Sequence, residues 1–448
     1  MSDAEVGDRA VVPGRNRVRR YRWRVALTAV TLVMAAFSAH DPLVAVFTVI
    51  PVVIWCWGSA RTGIVVGSIL LVLAAWILLP RALALSRRWM PSVFEVCVFL
   101  PILTAVIMRP RGRLAAIGLS AFAVACVAAA ASAAIVGALL RTGLAWRLAT
   151  DVPNDRSLHV RPTPRVGGWG VSPVAAVALL ALPSLRWIGV AVLFLAAVSQ
   201  IDDRRGLPAR VRFAAHVVAV AGLLASYSAT LPLWAMCAVA LALIWLVNLY
   251  NFMDGADGLA GGMAVFGFAG YAVAALVQMR GGQLPLSCAA VAGAAAGFLA
   301  LNFHPARVFL GDAGSIPLGF LAGALGWVGW RAEVWPVWFP VMAFAPFIAD
   351  ASVTLLRRLM RGEKFWHAHR EHYYQRMVRY GLGHRRVALY WYVVMGGGII
   401  VAVYALRLPA ARQWAAVVAW FAALVCMGIA VDARWRRFQR TVPQSSEL

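Results

Sequence analysis

From residue 115 onward this chain is a succession of long apolar runs cut by short charged loops, a pattern that leaves few folds open. A hydrocarbon core of about 30 Å takes roughly 20 helical residues, and inside it every backbone N–H must be bonded within its own segment. Eleven runs meet that demand, near 115–140, 168–183, 185–200, 210–228, 231–248, 258–279, 284–302, 315–331, 333–356, 386–406 and 412–431. With 62% hydrophobic and 13% charged residues and a mean hydropathy of +0.76, the 448-residue chain lacks the charged surface of a soluble domain. The sequence therefore predicts an all-α polytopic membrane protein, with about eleven transmembrane helices in its core.

Each crossing reverses direction, so the loops alternate between faces. Stretches 141–167, 201–209, 249–257, 303–314 and 357–385, together with the C-terminus, fall on one face, and that face carries most of the arginines. The positive-inside rule makes it cytoplasmic. The net charge of +24 reads as that bias, as affinity for anionic headgroups, or as affinity for an anionic substrate. Residues 1–112 form an expected accessory membrane module with three or four further spans. The catalytic domain covers 113–435 and a cytoplasmic tail 436–448. Met1–Arg24 is polar and Arg-rich, without the pattern of a cleaved signal peptide. The six cysteines sit singly inside apolar runs, at neither metal-type nor disulfide-type spacing, and read as packing or lipid-facing residues.

Seven of the 18 acidic residues lie in four loops of the basic face: Asp151 and Asp155, Asp202 and Asp203, Asp254 and Asp257, and Asp312. A fifth loop holds His367, His369 and His372. Adjacent carboxylates such as Asp202 and Asp203 repel, which favours a bound cation or a raised pKa; pairing with Arg204 and Arg205 is the plainer alternative. Asn251, Asp254 and Asp257 are spaced by three and would share one helical face. Hard oxygen ligands completed by phosphate suit Mg²⁺. Gly311-Asp312-Ala313-Gly314-Ser315 reads as a tight turn opening a helix, with N–H groups and a carboxylate for a metal-bound phosphate. The histidines read as phosphate donors, as structural residues, or as a transition-metal site. Asp350, near a span end, is either a site residue or a partner of Arg357 or Arg358.

Asp151-Val152-Pro153-Asn154-Asp155-Arg156-Ser157-Leu158-His159 and Pro162-Thr163-Pro164-Arg165-Val166-Gly167-Gly168 open an ordered set of motifs. Asp202-Asp203, Asn251 to Gly258, Asn302 to Arg307 with Gly311 to Ser315, and His367 to His372 complete it. The set, spread over about 115–435, resembles the polyprenyl-phosphate N-acetylhexosamine-1-phosphate transferases, a membrane family of glycosyltransferase family 4. It looks closer to the glycan-initiating branch than to the phospho-N-acetylmuramoyl-pentapeptide-transferases.

The resemblance implies transfer of a sugar 1-phosphate from a UDP-sugar to undecaprenyl phosphate, releasing UMP, in a bacterial inner membrane. The site would lie on the cytoplasmic face, with Mg²⁺, or Mn²⁺ in its place, as cofactor. It implies Asp312, Asp202, Asn251 and Asp254 as metal ligands and Asp202, Asp203, Asp257, His367, His369 and His372 as catalytic residues. Asn154, Arg156, His159, Arg165, Arg210, Arg212, Asn251, Asp254, Asn302 and Arg370 would bind substrate. The family often carries a lysine in the helix of Arg210 and Arg212, and a glutamine where His216 stands. Expected partners are donor, acceptor and bilayer, with a homodimer as one assembly and no nucleic acid. A non-catalytic carrier of lipid-linked or nucleotide sugars is the alternative, and a polyprenyl-diphosphate phosphatase a third. Carriers place polar groups at the bilayer midplane, whereas here they cluster at one face.

Overall fold

The computed structural model describes residues 113–153, 158, 159, 161–227, 230–279, 282–363 and 369–441. The expected accessory module at 1–112 lies outside these residues. Each of the eleven apolar runs is helical: α1 Arg113–Arg141, α3 Gly167–Leu180, α4 Arg186–Arg205, α5 Ala209–Ser226, α6 Leu233–Phe252, α7 Leu259–Gln278, α8 Leu284–Asn302 and α9 Asp312–Arg331, then a broken ninth, a tenth and an eleventh. A short α2, Leu144–Leu148, follows α1. Among the described residues, eight helices are long and apolar enough to span a bilayer. α3 is shorter, and α4 ends in Asp202-Asp203-Arg204-Arg205.

The ninth run splits into α10, Trp338–Ala343, and α11, Ala345–Met360. Phe344 leaves the helical region, and Pro346 has no N–H to carry the hydrogen-bond ladder across the break. The tenth starts earlier than its apolar pattern indicates. A short α12, Tyr373–Met377, leads through a kink at Val378–Leu382, where Tyr380 and Gly381 leave the helical region and Gly381 takes φ 102°, into α13, Gly383–Ala405. The last helix, α14, runs Ala410–Thr441, into the first part of the expected tail.

Helices α7 and α9 form the centre, 94% and 89% buried along their apolar windows, while α1 and α6 are 17% and 22% buried. Exposed Leu119, Val127, Leu241 and Val425 give the outer helices a lipid-compatible surface. Lipid tails are as apolar as leucine, so helix association in a bilayer depends on close packing. Gly293 and Gly297 of α8 supply it: a Cβ on either would stand 2.1 Å from the Ala125 or Ala129 carbonyl oxygen of α1. Gly262 of α7 likewise admits the Tyr392 ring of α13, whose hydroxyl donates to the Gly258 carbonyl oxygen at 2.7 Å.

At one end of the bundle a small antiparallel ribbon, β1 Thr150–Asp151 and β2 Thr163–Pro164, ties the first long loop down. Arg165 then pairs with Phe309, and the Gly167 and Gly168 N–H groups donate to the Phe309 and Leu310 carbonyls, both at 2.8 Å. A Cβ on Gly168 would stand 2.4 Å from the Gly314 nitrogen, so these two glycines let the starts of α3 and α9 touch. Gly297→Leu should force α1 and α8 apart and cost about 1–3 kcal/mol or more. A fall in the thermal unfolding midpoint of the purified protein would register it; an unchanged midpoint would contradict this packing account.

Candidate active site

The converged loops enclose a cavity of about 300 Å³. Seven of the expected site residues line it: His159, Arg165, Asn251, Asp254, Asp257, Asn302 and Asp312. Asp312 is the first residue of α9, preceded by Gly311 at φ 71°. The Asn251 amide nitrogen donates to Asp312 Oδ1 and to Ser315 Oγ, both at 2.9 Å, leaving its oxygen as the ligand it can offer. Asp203, in the last turn of α4 beyond the crossing, reaches the same corner. It accepts a main-chain bond from Ala313, and its Oδ2, 3.2 Å from where a Gly311 Cβ would stand, is buried without a hydrogen-bond partner.

Arg165 holds this acidic wall together, 3.3 Å from Asp151 and 3.8 Å from Asp203. It does not neutralise it. Burial, then the charge of Asp312, pushes Asp254 up to about 7 against the pull of Arg165, and Asp203 is raised for the same two reasons. An unpartnered buried carboxylate oxygen beside two further acids is a donor set that fits a divalent cation. Among the described residues, no group of three acidic, histidine or cysteine side chains is already gathered at coordination distance. Substrate oxygens would have to complete the shell, as suits a cation shared with a diphosphate.

Also on the cavity wall, Asp257 Oδ2 lies 2.6 Å from His304 Nδ1 and accepts the Ala306 N–H at 3.2 Å. Asn302 accepts the Gly258 N–H and donates to the Val308 carbonyl, both at 2.9 Å, so its amide shapes the wall from behind. His159 packs edge-on against Phe309, with ring centroids 4.8 Å apart.

Asp202 departs from the expected pairing with Asp203. Successive helical residues point about 100° apart, and Asp202 turns away to accept the Leu207 N–H at 2.6 Å and the Arg212 guanidinium at 3.1 Å. It lines a separate small cleft with Arg212 and His216, and Arg210 is exposed. The structure thus places neither Asp202 nor these arginines on the main cavity.

Of the histidine loop, the described residues His369, Arg370 and His372 are not on the cavity lining. His372 is 3% exposed, with its ring against Asp350, which accepts the Tyr373 and Tyr374 N–H groups at 2.9 and 3.1 Å and so caps α12. The two partners expected for Asp350 go elsewhere: Arg357 to Asp432, Arg358 to Glu363 and Glu371. Burial, then the neighbouring His372 and Arg358 charges, lowers His369 to about 4, so its ring is neutral near pH 7. Arg370 is half-buried in the same loop. Asn154, Arg156 and His367 lie outside the described residues.

Eight cavity residues were not singled out as site residues from the sequence: Leu158, Gly255, Ala256 and Gly311, which sit inside quoted motifs, and Asp151, Phe309, Gln375 and His384. Asp151 was visible as a loop acid. Phe309 and His304 lie within or beside quoted motifs, whereas nothing around Gln375 or His384 marks them.

The family model described as glycosyl transferase family 4 matches residues 185–329. The decaprenyl-phosphate N-acetylglucosaminephosphotransferase of Mycolicibacterium smegmatis is 31% identical to this chain, the match covering 55% of the chain and 73% of that protein. The chain belongs to glycosyl transferase family 4. This family 4 transferase is also 26% identical to the undecaprenyl-phosphate alpha-N-acetylglucosaminyl 1-phosphate transferase of Yersinia pestis, over 66% of the chain and 89% of that protein. A shorter stretch, 19% of the chain and 27% of the relative, is 45% identical to the phospho-N-acetylmuramoyl-pentapeptide-transferase of Moorella thermoacetica.

The raised carboxylates give the transferase a pH signature. A folded pKa near 7 for Asp254, against an ordinary 3.8, means that the folded state binds the extra proton. Its stability contribution is present below the ordinary value and is lost as pH rises through 7. In chelating buffer the unfolding midpoint should therefore fall between about pH 4 and 7, and Asp254→Asn should flatten the fall. A slope identical in the variant would contradict the assignment.

Proposed function

We propose that this family 4 transferase moves an N-acetylhexosamine 1-phosphate from a UDP-sugar to undecaprenyl phosphate at the cytoplasmic face of a bacterial inner membrane, releasing UMP. The reading rests on the gathering of Asp203, Asp254 and Asp312 around Arg165 at one end of the helix bundle. There a soluble anion and a membrane-held anion can meet. The names of the relatives support N-acetylglucosamine as the sugar, and the step would open O-antigen, exopolysaccharide or cell-wall glycan assembly.

In the reaction an oxygen of the lipid phosphate bonds to the sugar-side phosphorus of the donor, and the bond to the bridging oxygen of UMP breaks. A phosphate monoester with a second pKa near 6 is already largely a dianion near neutrality, so no strong base is demanded of the protein. What it must supply is alignment and charge neutralisation. Asp312, Asp254, Asp203 and the Asn251 oxygen would hold Mg²⁺, which when bound neutralises diphosphate oxygens as charge shifts to the leaving UMP. Asn251 orients Asp312, and Ser315 fixes Asn251 in turn. Arg165 offers a guanidinium to phosphate oxygens, and Asp151 and Asp203 keep it at the cavity wall. Asp202 takes a supporting part, anchoring the α4–α5 turn through Leu207 and Arg212.

The test is direct. Purified protein supplied with undecaprenyl phosphate, Mg²⁺ and a panel of labelled UDP-N-acetylhexosamines should release UMP and form a diphosphate-linked sugar lipid. Asp312→Asn should lower kcat by about 10²–10³-fold with the fold intact, the scale of losing one charge-stabilising group. Absence of UMP release with every donor, or full turnover in Asp312→Asn, would overturn the proposal.

A further inference from the structure

His384 opens α13, far in sequence from the first loop, yet its ring joins two walls of the cavity. Its Nδ1 accepts the Asp257 main-chain N–H at 3.2 Å, and its Nε2, the proton-bearing nitrogen on this assignment, donates to the Leu158 carbonyl at 3.2 Å. Nδ1 also lies 3.5 Å from Asp257 Oδ1. That approach does not orient the ring, because the nitrogen's one lone pair is already used by the N–H. The ring stacks on His304, with centroids 5.6 Å apart and planes 8° from parallel, and His304 is itself bonded to the Asp257 carboxylate. The His384 side chain is only 13% exposed. Leu158, Asp257 and His384 all line the cavity, as does His159, the residue after Leu158.

We infer that His384 is a positioning residue for donor binding, a role that rests on the transferase reading above. The imidazole is a rigid spacer with an acceptor on one side and a donor on the other. It sets how far the loop bearing His159 stands from the corner formed by Asp257. The carboxylate wall is fixed separately, through Arg165, Asn251 and the start of α9. Loss of the His384 bridge therefore loosens the wall that carries Leu158 and His159, whose ring stands 3.9 Å from Asp151, while Asp203 and Asp312 keep their own anchors. Donor affinity suffers more than the chemical step.

Three variants of the full-length protein, assayed with UDP-N-acetylglucosamine at saturating undecaprenyl phosphate, separate this role from general damage. His384→Ala raises the donor KM about tenfold, the scale of about 1.4 kcal/mol from lost hydrogen bonds, while kcat stays within about threefold. His384→Gln, whose amide can take the place of Nε2 and reach Leu158, recovers most of the KM. His384→Asn, which keeps only an acceptor toward Asp257, does not. Hydrogen exchange at Leu158 and His159 rises in the alanine and asparagine variants and not in the glutamine one. An unchanged donor KM in His384→Ala, equal effects of Gln and Asn, or unaltered exchange at Leu158–His159 overturns the inference. The Gln against Asn comparison stands even where the alanine variant folds poorly. Should the wild-type protein release no UMP, the transferase reading fails, and the exchange pattern alone decides whether His384 holds this loop.

Discussion

Mutual repulsion among buried carboxylates is the constraint around which this molecule is arranged. Asp203, Asp254 and Asp312 come from the end of α4, the loop after α6 and the start of α9, and each is placed where burial disfavours its charge. A fold does not hold such groups together by their own interactions. Close helix packing and main-chain bonds between loops bring them together, with Arg165 as a partial counter-charge. In the proposed reaction a divalent cation shared with a diphosphate would remove the repulsion, and the same desolvation that raises the acids would strengthen their grip on it.

The scaffold that imposes this arrangement depends on small residues. Gly293 and Gly297 let α1 and α8 approach to backbone contact, Gly168 and Gly314 do the same for the starts of α3 and α9, and Gly262 seats Tyr392. Those contacts carry the loops to one end of the bundle. There the first loop is bonded into the 309–310 strand segment and Tyr392 pins Gly258. Main-chain and side-chain bonds then hold the wall together: Asp203 accepts the Ala313 N–H, Asp312 accepts from Asn251, and Arg165 spans Asp151 and Asp203.

Much of this was legible in the sequence, because a bilayer makes length and apolarity decisive. All eleven runs are helices, and alternate counting grouped the acidic loops that meet at the cavity. Details of phase and of long-range pairing were not legible. Asp202 and Asp203 are indistinguishable as neighbours in a string, yet helical geometry sends one to Arg212 and the other to Asp312's corner. The ninth run reads as one helix, although Pro346 breaks it at Phe344. The string around His372 gives no sign that Asp350, distant in sequence, lies against its ring while capping α12. His384 shows no local pattern, because what matters is its meeting with Leu158 and Asp257 across the fold.

The central claim, that carboxylates from three separate elements form one cation site, can be tested by locating the ion. Anomalous diffraction from crystals soaked with Mn²⁺ and a UDP-sugar should place a single strong peak between Asp203, Asp254 and Asp312, beside the Asn251 amide oxygen. A peak at His369 and His372, or at Asp202 and Arg212 with none in the cavity, would contradict it.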